Sequence, residues 1–237
     1  MSDTPFISVI IPAYNEEGSI RFCLDALTHQ ETDTPFEILT VVNASTDRTL
    51  QIAKELGVKA YDVQGKGVVG ALQFGITKAR GEIIACTDAD TKVPPWWIEE
   101  ISRVFSRDHP AVATGGPTTF HDNPLWPDWL LVGMANVLQI LRLWSPIGAN
   151  MAFKKSAYES VGGFAGIPNL QWDRIFSKRL KSIGNVVYNK KLIVPMSGRR
   201  FRTLSRTIAE IILRSVNALS IEFRGRAIRT EFDAIRE

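Results

Sequence analysis

Residues 83–90 have the sequence Ile83-Ile84-Ala85-Cys86-Thr87-Asp88-Ala89-Asp90, in which a short apolar run ends in two carboxylates. Gly81-Glu82 and Pro94-Pro95 bound this run, which predicts a buried strand. Open α/β folds bind their ligands beyond the carboxyl ends of such strands. Asp88 and Asp90 alternate along an extended chain, so their side chains point to the same side. Together they can hold Mg²⁺ or Mn²⁺, with substrate phosphates and water supplying the other ligands.

The first 90 residues alternate between strand-like and helix-like patterns, and Asn15 is expected to cap the first helix. Connections of helix length between strands imply parallel pairing and right-handed crossovers, which is an α/β arrangement. A dinucleotide site is disfavoured because no Gly-x-Gly-x-x-Gly follows the first strand. Strands are predicted at 6–11, 36–42, 58–63 and 83–86, with helices following 15, 46, 67 and 96.

The second half is predicted to continue the same domain. Leu125 to Trp144 is the most apolar part of the chain. We expect core helices there, and the alternative is a membrane-facing surface that receives a lipid-linked acceptor. Other predicted elements are an extended segment at 111–120, strands at 148–153 and 185–194, helices at 154–160 and 172–183, and a closing amphipathic helix at 204–223.

Bulk properties indicate a globular protein of 237 residues with 45% hydrophobic and 22% charged residues. The net charge is +3, and from Gly198 onward nine Arg stand against five acids. Such a tail suits phosphate ligands, a membrane surface or a solvated helix. Cys23 and Cys86 lack metal-ligand spacing and predict buried free thiols of a reducing compartment. We expect a cytoplasmic protein without a nucleic-acid partner, with peripheral contact to the inner face of the membrane as an alternative.

Several ordered motifs between residues 6 and 200 resemble family 2 glycosyltransferases of the GT-A fold. In these enzymes a Rossmann-like, mostly parallel sheet is flanked by helices. The resemblance implies a donor-binding half at 1–95, an acceptor half at 96–203 and a basic helical tail at 204–237. The motifs are Val9-Ile10-Ile11-Pro12-Ala13-Tyr14-Asn15-Glu16-Glu17, Val41-Val42-Asn43-Ala44-Ser45-Thr46-Asp47-Arg48-Thr49, Gly65-Lys66-Gly67, Thr87-Asp88-Ala89-Asp90, Gly148-Ala149-Asn150-Met151-Ala152-Phe153, Gly162-Gly163-Phe164 and Trp172-Asp173.

The resemblance implies inverting transfer from a UDP- or GDP-linked sugar to a glycan or a lipid-linked acceptor. It further implies that Asp90 binds Mg²⁺ or Mn²⁺ at the diphosphate, with Asp88 near the ribose. Asp173 would be the general base that takes the proton of the acceptor hydroxyl. An alternative for Asp173 is a structural acid in the first turn of its helix.

Two further sets of residues are predicted to contact substrates, partly from the resemblance and partly from their chemistry. Tyr14 can stack on a base, and Asn43 offers both a donor and an acceptor. Arg199 and Arg200 can clamp a diphosphate through bidentate hydrogen bonds, and the alternative for them is a solvated basic loop. The donor set is Pro12, Ala13, Tyr14, Glu16, Asn43, Lys66, Asp88, Ala89, Arg199 and Arg200, and the acceptor set is Asn150 and Trp172.

The chain departs from the family pattern at two positions. Val42 stands where relatives commonly carry an acid that contacts the nucleotide base, so the base preference stays open. Trp172 replaces a carboxylate of the acceptor side. Three alternatives remain: a polyprenyl-phosphate sugar synthase, a non-catalytic subunit that binds nucleotide sugars, and a nucleotidyltransferase. The last is disfavoured because the first loop lacks a Gly-rich sequence with Arg and Lys.

Overall fold

Strands and helices alternate through the first half of the chain in a computed structural model. The structure describes residues 4–65, 67–106, 111–123, 125–201 and 203, together with residues 212, 213, 216, 217 and 220. The strands are β1 (Ile7–Ala13), β2 (Phe36–Asn43), β3 (Lys59–Val63), β4 (Ile83–Cys86), β5 (Ala111–Gly115), β6 (Thr118–Phe120), β7 (Met151–Lys154), β8 (Asn185–Tyr188) and β9 (Val194–Met196). The helices are α1 (Ile20–Thr28), α2 (Thr49–Glu55), α3 (Gly67–Lys78), α4 (Trp97–Phe105), α5 (Asp128–Ile140), α6 (Lys155–Ser160) and α7 (Trp172–Lys181), with 3₁₀ turns at Gly148–Asn150 and Arg199–Phe201.

The central sheet has seven strands in the order β3-β2-β1-β4-β7-β5-β8. β1 pairs in parallel with β2 and β4, and β2 pairs in parallel with β3, as the helix-length connections predict. β7 lies antiparallel between β4 and β5. A second, two-stranded parallel sheet joins β6 to β9. The predicted α/β sheet is confirmed. In the second sheet, β9 ends at Met196, which also forms a bridge with Thr91, so the segment after β9 lies near the carboxyl end of β4.

Two apolar clusters cover the two faces of the sheet. On β1, Val9 and Ile11 enter one cluster with α1 and α4, whereas Ile10 enters the other with α3 and α7. This division follows from the alternation of side chains along a strand. Gly75 lets α3 approach β1 closely, since a Cβ at that position would lie 2.5 Å from Cγ2 of Ile10.

A charged cluster lies at the amino ends of the parallel strands, whereas Asp88 follows the carboxyl end of β4. Glu37 on β2 is almost completely buried and accepts hydrogen bonds from Ser8, Lys59 and Arg80. Although burial alone would raise the pKa of Glu37, the hydrogen bonds from Lys59, Arg80 and Ser8 lower it to about 2. This carboxylate therefore remains ionised and ties β1, β2 and β3 to the segment that enters β4.

Three structural expectations are wrong. Asn15 does not cap a helix: it has a positive φ of 52°, and α1 begins only at Ile20. The predicted strand at 185–194 is two strands, β8 and β9, which belong to different sheets. The apolar segment 125–144 does not form core helices, because no residue of α5 is buried.

Other expectations concern the thiols and the C-terminal segment. Cys23 and Cys86 are buried and free, as predicted. Among the described residues, none of the helices combines the length and the hydropathy that crossing a membrane requires. The predicted helix at 204–223 and the rest of the tail to residue 237 lie outside the described residues, apart from the five isolated positions given above.

Candidate active site

The loops that follow β1 and β2 are joined by a network of side chain–backbone hydrogen bonds. Oδ1 of Asn15 accepts from the Thr46 amide (2.9 Å), and the Asn15 amide donates to Oγ of Ser45 (2.9 Å). The Glu16 amide donates to Oγ1 of Thr49 at 2.8 Å. Because β1 and β2 are parallel neighbours, both loops leave the same edge of the sheet. The network therefore fixes the backbone on either side of Glu16, which belongs to the predicted donor set.

Arg199 bridges Glu16 and Asp90 across this edge. Its Nη1 donates to Oε2 of Glu16 at 3.1 Å and its Nη2 donates to Oε1 of the same carboxylate. Nη2 also lies 3.2 Å from Oδ2 of Asp90. The hydrogen bond to Glu16 raises the pKa of Arg199, with Asp90 and Asp122 adding to the effect. One guanidinium thus pairs with two carboxylates, one predicted at the donor site and one at the metal site, and leaves one net negative charge.

Asp122 and Asn123 hold the backbone that carries Arg199. Oδ2 of Asp122 accepts from Oγ of Ser197 (2.7 Å), and Oδ1 accepts from the Gly198 amide (2.5 Å). Nδ2 of Asn123 donates to the carbonyls of Gly198 (3.2 Å) and Phe201 (2.9 Å). Sequence reasoning missed both residues, although the polar run His121-Asp122-Asn123 after an extended segment is a signal that could have drawn attention to them.

The backbone of Asp90 is fixed from the same side. The Ser197 amide donates to the Asp90 carbonyl at 3.1 Å, and Nε2 of His121 lies 3.0 Å from the same oxygen. Sγ of Cys23 lies 3.3 Å from the Asp88 carbonyl. Burial raises the pKa of the Cys23 thiol, and the charges of Asp90 and Asp88 raise it further. Cys23 therefore stays a thiol that supports the loop.

The side chains of Asp88 and Asp90 fit a hard divalent cation by their chemistry. Both residues are partly exposed at the carboxyl end of β4, and both offer carboxylate oxygens. Within the described residues, no group of three or more His, Cys, Asp or Glu side chains is arranged to hold a metal. Two carboxylates suit the kind of site in which substrate phosphates and water complete the coordination of Mg²⁺ or Mn²⁺.

Asp173 lies in the first turn of α7, next to the end of β4. Its Oδ2 accepts from the Gly148 amide at 3.1 Å, and its Oδ1 accepts from the Arg174 amide at 2.8 Å. The turn that begins at Gly148 leads into β7, where Met151 pairs with Cys86 of β4. In an antiparallel pair, the residues before Met151 run beside those after Cys86. The topology therefore brings Asp173 to the side of the Asp88–Asp90 segment.

The two predicted acceptor contacts are both buried. The amide of Asn150 is occupied: Oδ1 accepts from Nε1 of Trp97 (3.0 Å), and Nδ2 donates to the carbonyls of Pro117 (3.2 Å) and Leu192 (2.7 Å). Trp172 is 6% exposed and packs edge-on against Phe164. This geometry gives no support to acceptor binding by either residue. Each supports the surrounding loops instead.

The remaining members of the donor set follow the ends of β1, β2 and β4. Tyr14 is 39% exposed, whereas Asn43 and Ala89 are buried. Pro12 and Ala13 end β1. Lys66 and the side chain of Arg200 lie outside the described residues. The structure therefore brings together Glu16, Asp90 and Arg199 by direct contact, and the other described members of the set lie at the ends of β1, β2 and β4.

A family profile described as Glycosyl transferase family 2 matches residues 8–167 of the chain. The chain belongs to glycosyl transferase family 2. The match extends from β1 to β7 of this family member. It ends before Asp173, before β9 of the two-stranded sheet and before Arg199. Its four parallel strands β1 to β4 and the Asp88–Asp90 segment all lie within the match.

This family 2 chain is similar to glycosyltransferase AglE of Haloferax volcanii, with 38% identity over 106 residues that cover 41% of the chain and 34% of that relative. The chain thus spans about a third of that relative's length. Two solved structures share its GT-A fold. A mannosyltransferase from Pyrobaculum calidifontis in complex with GDP-Man and Mn²⁺ superposes with a TM-score of 0.69 at 22% identity, covering 94% of this chain and 64% of that one. Glucosyl-3-phosphoglycerate synthase from Mycobacterium tuberculosis, in complex with Mn²⁺, UDP and phosphoglyceric acid, has a TM-score of 0.64 at 16% identity, covering 94% and 78%.

Proposed function

We propose that this family 2 member transfers a sugar from a nucleoside diphosphate sugar to an acceptor hydroxyl, with inversion at the anomeric carbon. The observation that carries the proposal is the bridge from Glu16 through Arg199 to Asp90, at the edge where β1, β2 and β4 end. This bridge brings acidic and basic side chains together at the carboxyl ends of the strands, where α/β sheets bind nucleotides. Proteins of the same fold bind GDP-Man with Mn²⁺ and UDP with Mn²⁺, which supports a donor of this class.

Asp88 and Asp90 are the residues that would hold Mg²⁺ or Mn²⁺ in this proposal. When bound, the cation supplies charge neutralisation for the departing diphosphate. Arg199 adds a guanidinium that can donate two parallel hydrogen bonds to phosphate oxygens. Tyr14 is exposed beside Glu16 and can stack on the nucleotide base. The residues on this edge therefore bind and orient the diphosphate end of the donor.

Asp173 is the proposed general base. The acceptor oxygen attacks the anomeric carbon, the bond from that carbon to the diphosphate breaks, and the hydroxyl proton passes to the Asp173 carboxylate. The amides of Gly148 and Arg174 hold this carboxylate in one orientation. A single displacement of this kind forms no covalent intermediate with the protein and inverts the configuration of the transferred sugar.

The first experiment is a screen of UDP- and GDP-sugars with Mn²⁺ or Mg²⁺, in which release of nucleoside diphosphate is measured. We expect one donor to bind and to turn over with an acceptor, and the anomeric configuration of the product, measured by NMR, should be opposite to that of the donor. Retention of configuration would contradict the proposed displacement. Binding of no nucleotide sugar in the presence of metal would contradict the donor site itself.

The second experiment separates an enzyme from a non-catalytic binding subunit. Asp173→Asn should lower turnover by about 10²- to 10⁴-fold while donor affinity is retained. Asp128→Asn is the matched control, because Asp128 is an exposed aspartate in the first turn of another helix, α5. Wild-type activity in Asp173→Asn would exclude the general base, whereas donor binding by the wild type without any turnover would favour the binding subunit.

A further inference from the structure

α5 is a helix that exposes apolar side chains from its first turn to its last, while Leu130, Leu131 and Val132 are half-buried. None of its residues is buried, and Trp129 and Ile140, near its two ends, are 76% and 79% exposed. Met134 and Val137 between them are each at least half exposed. The exposed apolar surface continues through Leu141 and Leu143 after the helix. Monomeric soluble proteins rarely leave a contiguous apolar surface of this kind uncovered.

The charges around α5 favour one occupant of this surface. Asp128, the acid of α5, lies at its N-terminal end, and between Trp129 and Trp144 the sequence contains no acid and one cation, Arg142. Lys181 is anchored beside the end of this segment, because its Nζ donates to the Trp144 carbonyl at 2.6 Å. Anionic headgroups would attract these two cations at the C-terminal end of the exposed apolar surface.

The apolar surface is also connected to the active site. Oδ1 of Asn123 accepts from the Leu125 amide at 3.1 Å, while Nδ2 of Asn123 holds the Gly198–Phe201 turn that carries Arg199. Within α5, Oδ1 of Asn136 accepts a hydrogen bond from Oη of Tyr188 on β8 at 2.7 Å. Polar contacts therefore help to fix the helix on the body of the protein, while Trp129, Val137 and Ile140 remain exposed.

We propose that α5 and the following residues to Leu143 dock on the surface of an anionic lipid bilayer, with Trp129 and Ile140 inserted at the level of the headgroups and upper acyl chains. A helix with an exposed apolar side and cations at its border binds in the plane of the interface in this way. An acceptor carried by a lipid would then reach the loop of Asn123 and Arg199 without leaving the bilayer surface. The docking does not depend on the proposed transfer reaction, since it can be measured without a donor.

The test is co-sedimentation of the purified protein with vesicles of phosphatidylcholine containing phosphatidylglycerol, compared with vesicles of phosphatidylcholine alone. We expect the wild type to bind the anionic vesicles more tightly, and the double variant Trp129→Glu, Ile140→Glu to bind them at least about tenfold more weakly. Trp96→Glu is the matched control, because Trp96 is 50% exposed on a different element. It should bind like the wild type.

A second measurement locates the contact without a disruptive substitution. Lipids brominated in the acyl chain should quench tryptophan fluorescence of the wild type, and Trp129→Phe should lose most of this quenching while it still binds vesicles. Unchanged quenching in Trp129→Phe would overturn the proposed insertion. Absence of vesicle binding by the wild type would overturn the docking. If light scattering shows that the wild type is a dimer and the double variant a monomer, the surface belongs to a second copy of the chain. Vesicle binding that the double variant retains would place the contact elsewhere and likewise overturn the proposal.

Discussion

Replacing Arg199 by Met should have opposite effects on the binding of a divalent cation and of a nucleoside diphosphate. The guanidinium of Arg199 contacts Glu16 and lies 3.2 Å from Oδ2 of Asp90. Methionine keeps much of the apolar stem and removes the charge. Without that charge, the two carboxylates attract a cation more strongly, whereas a bound diphosphate loses a partner for charge-assisted hydrogen bonds.

The magnitude follows from the position and exposure of Arg199. A divalent ion on Asp90 would lie on the order of 5 Å from the guanidinium, where charges of +2 and +1 repel by roughly 1.7 kcal/mol in water. The side chains of Arg199 and Asp90 are only 34% and 13% exposed, so the water value is a lower limit to the repulsion, and salt reduces it. At least about 1 kcal/mol remains, which makes the affinity for Mn²⁺ alone at least about fivefold tighter. Loss of the charge-assisted contact should weaken binding of the nucleoside diphosphate by about 1.5–3 kcal/mol, or about ten- to hundredfold.

Isothermal titration calorimetry can measure both effects, first with Mn²⁺ alone and then with GDP or UDP at saturating Mn²⁺. Arg21→Met is the control, because Arg21 pairs with Glu55 on the surface of α1 at the same distance of 3.2 Å. It should change neither affinity. Weaker binding of Mn²⁺ to Arg199→Met would refute the reasoning, since it would mean that Arg199 organises Asp90 for the cation instead of opposing it.

Three further predictions concern stability, alignment of the base and support of Arg199. Glu37→Gln should lower the free energy of unfolding by about 3 kcal/mol at pH 7. The pKa of Glu37 is about 2 in the folded protein and 4.5 in its ordinary state, so the ionised carboxylate stabilises the folded protein fully above pH 4.5. Urea unfolding should show this difference shrinking as the pH falls toward 2, and a pH-independent difference would contradict it. Gly148→Ala should lower kcat with little change in donor affinity. The added Cβ would lie 2.6 Å from Cζ2 of Trp172 and would displace the start of α7, which carries Asp173. A change in donor affinity without a change in kcat would contradict this prediction. Asp122→Ala should weaken donor binding, and the double variant with Arg199→Met should bind about as well as Arg199→Met alone; additive losses would show that Asp122 acts independently.

The sequence was sufficient to predict the first four strands and their parallel pairing. Apolar runs of strand length separated by helical patterns allow few other topologies, and the parallel pairing of β1 with β2 and β4, and of β2 with β3, confirms the prediction. The insertion of β7 between β4 and β5, and the separate pairing of β6 with β9, could not be predicted in the same way. Both depend on contacts between segments that are distant in the sequence, and local patterns carry no information about which distant segments meet.

The same limit explains what was found and missed at the site. Glu16 and Arg199 were predicted to contact the donor and Asp90 to bind the metal, but Arg199 and Glu16 are 183 residues apart and their ion pair has no local signature. Asp122 was missed because its partners are backbone and hydroxyl groups of the segment at Ser197 and Gly198. Such contacts depend on the path of the chain and place no constraint on side-chain spacing.

The misjudged environment of α5 has a different physical cause. A helix that is apolar on all sides satisfies the sequence pattern equally well inside a core and against lipid, since both environments remove its side chains from water. The structure separates the two cases, because the side chains of α5 are exposed while polar contacts from Asn136 and Asn123 fix the helix and the loop before it. A helix held in place in part by polar contacts, with Trp129, Val137 and Ile140 exposed, presents an apolar surface of the kind that another surface usually covers. The covering surface must tolerate Arg142 and Lys181 at its border, and an anionic lipid headgroup meets that condition.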